Sequence, residues 1–219
     1  MVVNQLLGVR RSTCNDVCFI ESGYPPLQDL VKLKQHKFLH KAWQERSSYN
    51  DDPLNFVIHL VKDTNTTLGR AISQFIQDDV TDISVAMHRV CEDIRQSESS
   101  RRKTYVEINP TLTVNYVYRE KHNINEHHRM AFSQFRVSGH SLACETGRWN
   151  RRGRGRLPIQ ERLCTCGEIQ TERHVTEYCP MTEHIRNTYQ FNSMEMLFSD
   201  MFTPRTMCKI TYDILSTYN

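Results

Sequence analysis

The sequence predicts a mainly α fold: a small helical bundle with a short β-prone segment near 104–118 and a C-terminal cysteine–histidine knuckle followed by further helices. Three observations carry that expectation. Apolar residues recur at steps of three and four through much of the first hundred positions, strand-forming residues concentrate in one short stretch, and three cysteines and a histidine fall within 16 positions near the C-terminal end. A chain of 219 residues with 38% hydrophobic content and a net charge of +3 can bury a core without disulfides. No apolar run approaches the ~18 residues of a membrane helix, and the stretch after Met1 lacks the basic, apolar and small-residue order of a signal peptide. The expected location is therefore intracellular, nuclear or cytoplasmic and not secreted, with no membrane partner.

From Pro26 to about Arg46, Leu27, Leu30, Val31, Phe38, Leu39, Ala42 and Trp43 recur near helical spacing with lysines between them, which predicts an amphipathic basic helix. A second short helix is expected to carry Leu54, Val57, Ile58 and Val61, and a third Leu68, Ile72, Phe75 and Ile76. The clearest stripe is Val80, Ile83, Met87, Val90 and Ile94, one apolar face of a helix. Ser97 to Lys103 reads as a polar linker. Tyr105, Val106, Ile108, Leu112, Val114, Tyr116, Val117 and Tyr118 are strand formers, with Pro110 limiting them to a hairpin at most. Asn125 is placed to cap a helix through Phe135 and Val137, and Gly139 to end it. These elements suggest three regions: a helical one over 1–96, a linking one over 97–146 and a C-terminal one over 147–219.

Eight cysteines spread over a chain with no export signal favour a metal site over a disulfide framework. Cys164, Cys166, His174 and Cys179 are separated by one, seven and four residues. Three thiolates and an imidazole are the ligand set of a closed tetrahedral structural zinc site, so zinc is the expected cofactor and no catalytic residue is assigned. Gly167 follows the second cysteine, where a tight turn around a metal requires positive φ, and Pro180 follows the last, where a helix can start.

Immediately before the knuckle, composition shifts. From Arg136 to Arg162 seven arginines face two glutamates, a local charge of +5. Within that stretch Arg148, Trp149, Arg151, Arg152, Arg154 and Arg156 alternate with glycines. Guanidinium forks grip phosphates, an indole stacks on an unpaired base, and glycine permits close approach of the backbone. RNA or single-stranded DNA is the expected partner, because no recognition helix for duplex readout is visible. The competing reading is a zinc-stabilised protein-interaction module whose partner docks on the C-terminal helices carrying Ile185, Tyr189, Phe191, Met196, Leu197, Phe198, Met201 and Phe202.

Beyond these spacings, the strings Ser138-Gly-His-Ser-Leu142, Glu145-Thr-Gly-Arg-Trp149, Arg162-Leu-Cys-Thr-Cys-Gly167, Thr171-Glu-Arg-His174 and Tyr178-Cys-Pro180 resemble the C-terminal zinc-knuckle region of reverse transcriptases encoded by non-LTR retrotransposons, the LINE type that includes jockey-like elements. Leu6 to Arg10, Ser12-Thr13, Glu21 to Leu27 and Gln35 to Phe38 resemble the thumb of those enzymes. The resemblance implies a thumb that grips a primer–template backbone and a knuckle that holds template RNA or target DNA. It also implies a fragment, because the aspartate pair of the polymerase palm has no match. The nearest string, Phe75-Ile-Gln-Asp78-Asp79, is one residue too long and leads into a helical stripe.

Other constellations carry less. Gly139-His-Ser141-Leu-Ala143 is one letter from a hydrolase nucleophile elbow, but a charged helix is expected before it instead of a strand. Cys14, Cys18, His36 and His40 have a gap too long for a two-cysteine, two-histidine finger. His127 and His128 read as solvated, and His184 as a weaker fourth ligand than His174.

Overall fold

The computed structural model describes residues 2–44, 65, 67, 70, 82–118, 123–148 and 155–218. Two units emerge, one of residues 25–92 and one of residues 1–24 with 93–219. The division differs from the three regions read along the chain. Residues 1–24 join the later part of the chain, where Asp16 pairs with Arg102 and Glu21 with Arg136, and no count of composition along the sequence reveals such pairings.

After helices α1 (Val2–Leu6) and α2 (Asn15–Ser22) comes the expected basic helix, α3 (Leu27–Gln44), opening behind the proline pair. Helix α4 (Ile83–Arg95) buries Ala86, Val90 and Ile94 along one stripe and leaves Ile83 exposed at its start. The helices expected over Leu54–Val61 and at Leu68, Ile72, Phe75 and Ile76 lie outside the described residues, as does Asp78-Asp79.

The β-prone segment is helical instead. Helix α5 spans Ser100–Ile108, Asn109 leaves the helical region because Pro110 follows it, and Tyr116–Tyr118 form a 3-10 turn. Among the described residues there is no sheet, and one isolated bridge joins Leu163 to Ile169. Burial overrides strand propensity here, since Tyr105 and Ile108, one helical turn apart, are both buried. Helix α6 (Glu126–Arg136) begins where expected, with the Asn125 side chain accepting from the His127 N–H at 2.9 Å. Its end differs by one position: the left-handed residue is Ser138, at φ +51°, and Gly139 follows it.

Short helix α7 (Ala143–Thr146) precedes the knuckle, and α8 (Glu183–Tyr189), α9 (Met194–Leu197) and α10 (Pro204–Ser216) follow it. Thr203 caps α10 and Pro204 occupies its first turn, where a missing N–H costs nothing. Helix α10 packs along α6. The core they share contains Phe135, Leu142, Val175, Ile185, Phe191 and Ile210. Much of the apolar surface read as a partner site is therefore internal: Ile185, Phe191 and Leu197 are buried, while Met201 stays exposed. Among the described residues no helix is long and apolar enough to cross a membrane.

At the centre of the larger unit Arg136 is 1% exposed. Its Nε donates to Glu21 Oε1 at 2.6 Å and its Nη2 to Oε2 at 3.1 Å. Tyr105 donates to the same carboxylate at 2.8 Å, and the guanidinium carbon lies 5.3 and 5.4 Å from the ring centroids of Phe132 and Phe198. Burial alone would disfavour the charge on Arg136, but Glu21 more than offsets it and raises its pKa. Helices α2, α5 and α6 thus meet on one satisfied buried ion pair.

Candidate metal centre

Two short pieces of chain build the knuckle. The first is a tight hairpin: the Cys164 N–H donates to Glu168 O at 2.7 Å, the Gly167 N–H to Cys164 O at 2.9 Å, and the Gln170 N–H to Arg162 O at 2.8 Å. It sets Cys164 and Cys166 at its tip. The second is a wide helical turn over His174–Tyr178, started by Thr171, whose hydroxyl accepts from the His174 N–H at 3.0 Å. That turn presents His174 from its first residue and Cys179 just past its last, with the Cys179 N–H donating to His174 O at 2.8 Å. Pro180 then opens the 3-10 turn Pro180–Thr182, which runs into α8.

The four side chains predicted from spacing converge. Cys164 Sγ lies 3.6 Å from Cys179 Sγ, Cys179 Sγ 3.8 Å from Cys166 Sγ, and Cys166 Sγ 3.2 Å from His174 Nε2. All four ligand atoms lie within 4.8 Å of one another. Metal–sulfur bonds of about 2.3 Å in a tetrahedron place sulfurs about 3.8 Å apart, so the donors stand where a closed four-coordinate ion requires them. The Cys164 thiol is pushed down to about 6: burial opposes its ionisation, but the Cys166 backbone N–H, His174 and the neighbouring thiols outweigh it. Cys166 moves upward, because burial and the two adjacent sulfurs outweigh the Glu168 N–H that favours its thiolate. A cation bound here would take the place of the thiol protons. His184 has no part in the cluster.

Gly167 has φ +96°, the conformation its position after Cys166 predicts. A Cβ there would meet nothing within 4 Å, so a substitution acts through the backbone alone. An L-residue held in that region costs about 1–2 kcal/mol. Gly167→Ala is expected to weaken metal binding about tenfold in competition with a chromophoric chelator, and an unchanged affinity would mean that the turn is not part of the coordination geometry.

Hydrogen bonds seat the knuckle on the bundle. Glu172 is buried, and its Oε1 accepts from Ser138 Oγ at 2.9 Å and lies 3.0 Å from His140 Nε2. Burial would raise its pKa, yet His140 and Ser138 hold it down to about 2. Gln170 Oε1 accepts from the Ala143 N–H at 2.5 Å, and Arg162 Nη1 donates to Cys144 O at 3.1 Å. His140, Cys144 and Glu172 also bring their ligand atoms within 4.8 Å of one another. Burial and then Glu172 push the Cys144 thiol up, so it stays protonated, and its 3.6 Å approach to Glu172 Oε2 is that of a donor. These seating contacts were missed in the sequence. Their only trace there is the pairing of Ser138-Gly-His140 with Thr171-Glu172, two polar strings that a buried interface explains.

The arginine tract is described at its ends. Arg156 is exposed. Arg148 Nε is 2.8 Å from Glu145 Oε1, and its Nη2 donates to Ser100 Oγ at 2.7 Å. The Leu157 N–H donates to Gly147 O at 2.9 Å, which brings the two described ends of the tract together. A Cβ on Gly147 would meet Arg162 Cγ at 2.7 Å and Ala143 O at 2.9 Å, so only glycine permits that closure. Trp149, Arg151, Arg152 and Arg154 lie outside the described residues. Arg162, counted with the basic stretch, is structural: it is buried and also donates from Nη2 to Leu157 O at 2.6 Å. Ser141 follows helix α6 and no strand, which is not the setting of a nucleophile elbow. Cys18 is buried and its thiol is pushed up to about 12, chiefly by burial, which does not suit a metal ligand.

A scan against protein-family models found no match. Neither curated proteins nor solved structures gave one.

Proposed function

We propose that this chain is a non-catalytic nucleic-acid-binding module, descended from the thumb-to-knuckle region of a non-LTR retrotransposon reverse transcriptase. Zinc at Cys164, Cys166, His174 and Cys179 holds the knuckle, and the adjacent tract of Arg148, Arg151, Arg152, Arg154 and Arg156, with Trp149, holds RNA or single-stranded DNA. The carrying observation is that four soft donors converge within 4.8 Å of one another directly after a sequence rich in arginine, whose described ends meet through the Leu157–Gly147 hydrogen bond. The ligand set suits zinc above harder cations, which prefer oxygen. The ancestry rests on the resemblance carried by Ser138–Leu142, Glu145–Trp149, Arg162–Gly167, Thr171–His174 and Tyr178–Pro180. With every coordination position filled by protein, zinc here organises and does not catalyse.

Native mass spectrometry of the full chain is expected to find one zinc, lost in Cys166→Ser. Affinity for a single-stranded oligonucleotide is expected to fall with salt. Replacing Arg151, Arg152, Arg154 and Arg156 with alanine should flatten that log–log slope by about 3, at ~0.7 per phosphate contact on a single strand. Arg148 is left in place because it also ties Glu145 to Ser100. Unchanged affinity and slope in the four-arginine variant would overturn the nucleic-acid reading.

A further inference from the structure

Between α5 and the knuckle lies a cavity of about 350 Å³, at the lower end of the ~300–1,000 Å³ typical of small-molecule sites. One face of α5 lines it, because Ser100, Thr104 and Glu107 are spaced four and three apart and so project together. An arginine stands at each end of that face. Arg148 donates to Ser100 Oγ at 2.7 Å, and Arg173 Nη2 donates to Glu107 Oε2 at 3.3 Å. Seven residues of helix separate the two anchor points by about 10 Å. Ile159, Ile169 and Met194 contribute aliphatic surface and Thr171 a further hydroxyl. Ile159 and Ile169 are 55% and 37% exposed, so both keep apolar surface uncovered. Glu172 also reaches the cavity, but its charge is taken up by His140 and Ser138.

Cations at both ends, apolar walls between them and hydroxyls along one side complement one residue of a polyanion whose repeating unit is phosphate, polar sugar and flat apolar base. Arg173 pairs with Glu107 at 3.3 Å and with Glu195 at 3.8 Å, and because all three side chains are about half exposed or more, opening these pairs for a phosphate costs little. We propose that this cavity takes one unstacked nucleotide of a single strand, with its base against Ile159 and Ile169 and its flanking phosphates on Arg148 and Arg173. The inference rests on the nucleic-acid reading above and adds a base-holding pocket to the phosphate-gripping tract. A paired base stays in its stack and cannot enter, so the pocket selects single strands.

The test uses the zinc-loaded full chain and a short oligonucleotide carrying one 2-aminopurine, prepared both as RNA and as DNA. Thr104→Phe fills the cavity from α5, and Arg173→Ala removes a cation that lies outside the tract. Binding to the unaltered chain is expected to change the 2-aminopurine emission. Thr104→Phe should lower affinity about tenfold, the scale of one lost base contact, at unchanged zinc content and helicity. Arg173→Ala should lower the salt slope by about 0.7. Loss in either the RNA or the DNA arm supports the pocket, and the arm with the larger loss names the strand. An oligonucleotide that binds the unaltered chain, Thr104→Phe and Arg173→Ala alike overturns the pocket and leaves the tract standing. An unaltered chain that binds neither strand overturns both. Arg173 is on the surface, so its variant decides the matter even if Thr104→Phe does not fold.

Discussion

Loss of the proposed zinc, by chelation or by Cys179→Ser, is expected to unfold residues 162–179 and to loosen the helices around them as well. Apart from hydrogen bonds, among them those of Arg162 and Gln170 to the bundle, the hairpin half of the knuckle buries little apolar surface: its bridge joins Leu163 and Ile169, which are both exposed. The other half is part of the main core. Val175 and Cys179 have no exposed surface, Val175 packs in the cluster that contains Phe135 and Ile210, and Thr182 donates back to Val175 O at 2.6 Å. Structural zinc in small knuckles supplies about 10–16 kcal/mol of apparent binding energy, comparable to the ~5–15 kcal/mol that stabilises a whole domain. A loss on that scale spreads beyond the loop that holds the ion. Hydrogen exchange with and without chelator should show amides of residues 164–176 losing protection, and those of Phe135 and Ile210 losing part of theirs. Cys91→Ser, outside the cluster, should behave as the unaltered chain. Unchanged protection at Phe135 and Ile210 would mean that the knuckle is an appendage and that the bundle folds without it.

What the sequence reveals of this centre follows from how local each feature is. Ligand spacing, the left-handed glycine after Cys166 and the proline after Cys179 act within a few residues, so Cys164, Cys166, His174, Cys179, Gly167 and Pro180 could all be placed from the chain alone. The Asn125 cap is equally local. Helix α5 was hidden because its residues prefer strand, and the burial of Tyr105 that decides the matter depends on Glu21, 84 positions away. Arg136 and Arg162 carried the same charge as the tract around them, yet both are buried and structural. Charge along a chain says nothing about which arginine finds an internal carboxylate or carbonyl. The seat of the knuckle was hidden for the same reason: Glu172 meets Ser138 and His140 only once α6 has ended in a left-handed serine.

Breaking the pair between Arg136 and Glu21 is expected to be the most damaging single change away from the metal. Both side chains are sealed from water, and each satisfies the other through two hydrogen bonds. Arg136→Met leaves the Glu21 carboxylate with the phenols of Tyr105 and Tyr118 but no counter-charge, and Glu21→Leu leaves a guanidinium between Phe132 and Phe198 with no counter-charge. Removing one partner of a buried pair costs about 3–5 kcal/mol, chiefly the desolvation of the charge left behind. The double variant removes both charges and fills the space with apolar side chains, so it should recover most of that loss. Urea unfolding of the two single variants and the double variant closes the cycle, with a coupling of several kcal/mol expected. Because the pair joins α2 to α6, each single variant should also weaken the attachment of residues 1–24 to the rest of their unit, seen as early proteolysis near Gly23. Additive single effects would show that the two charges are solvated independently and that the helices are held by apolar packing alone.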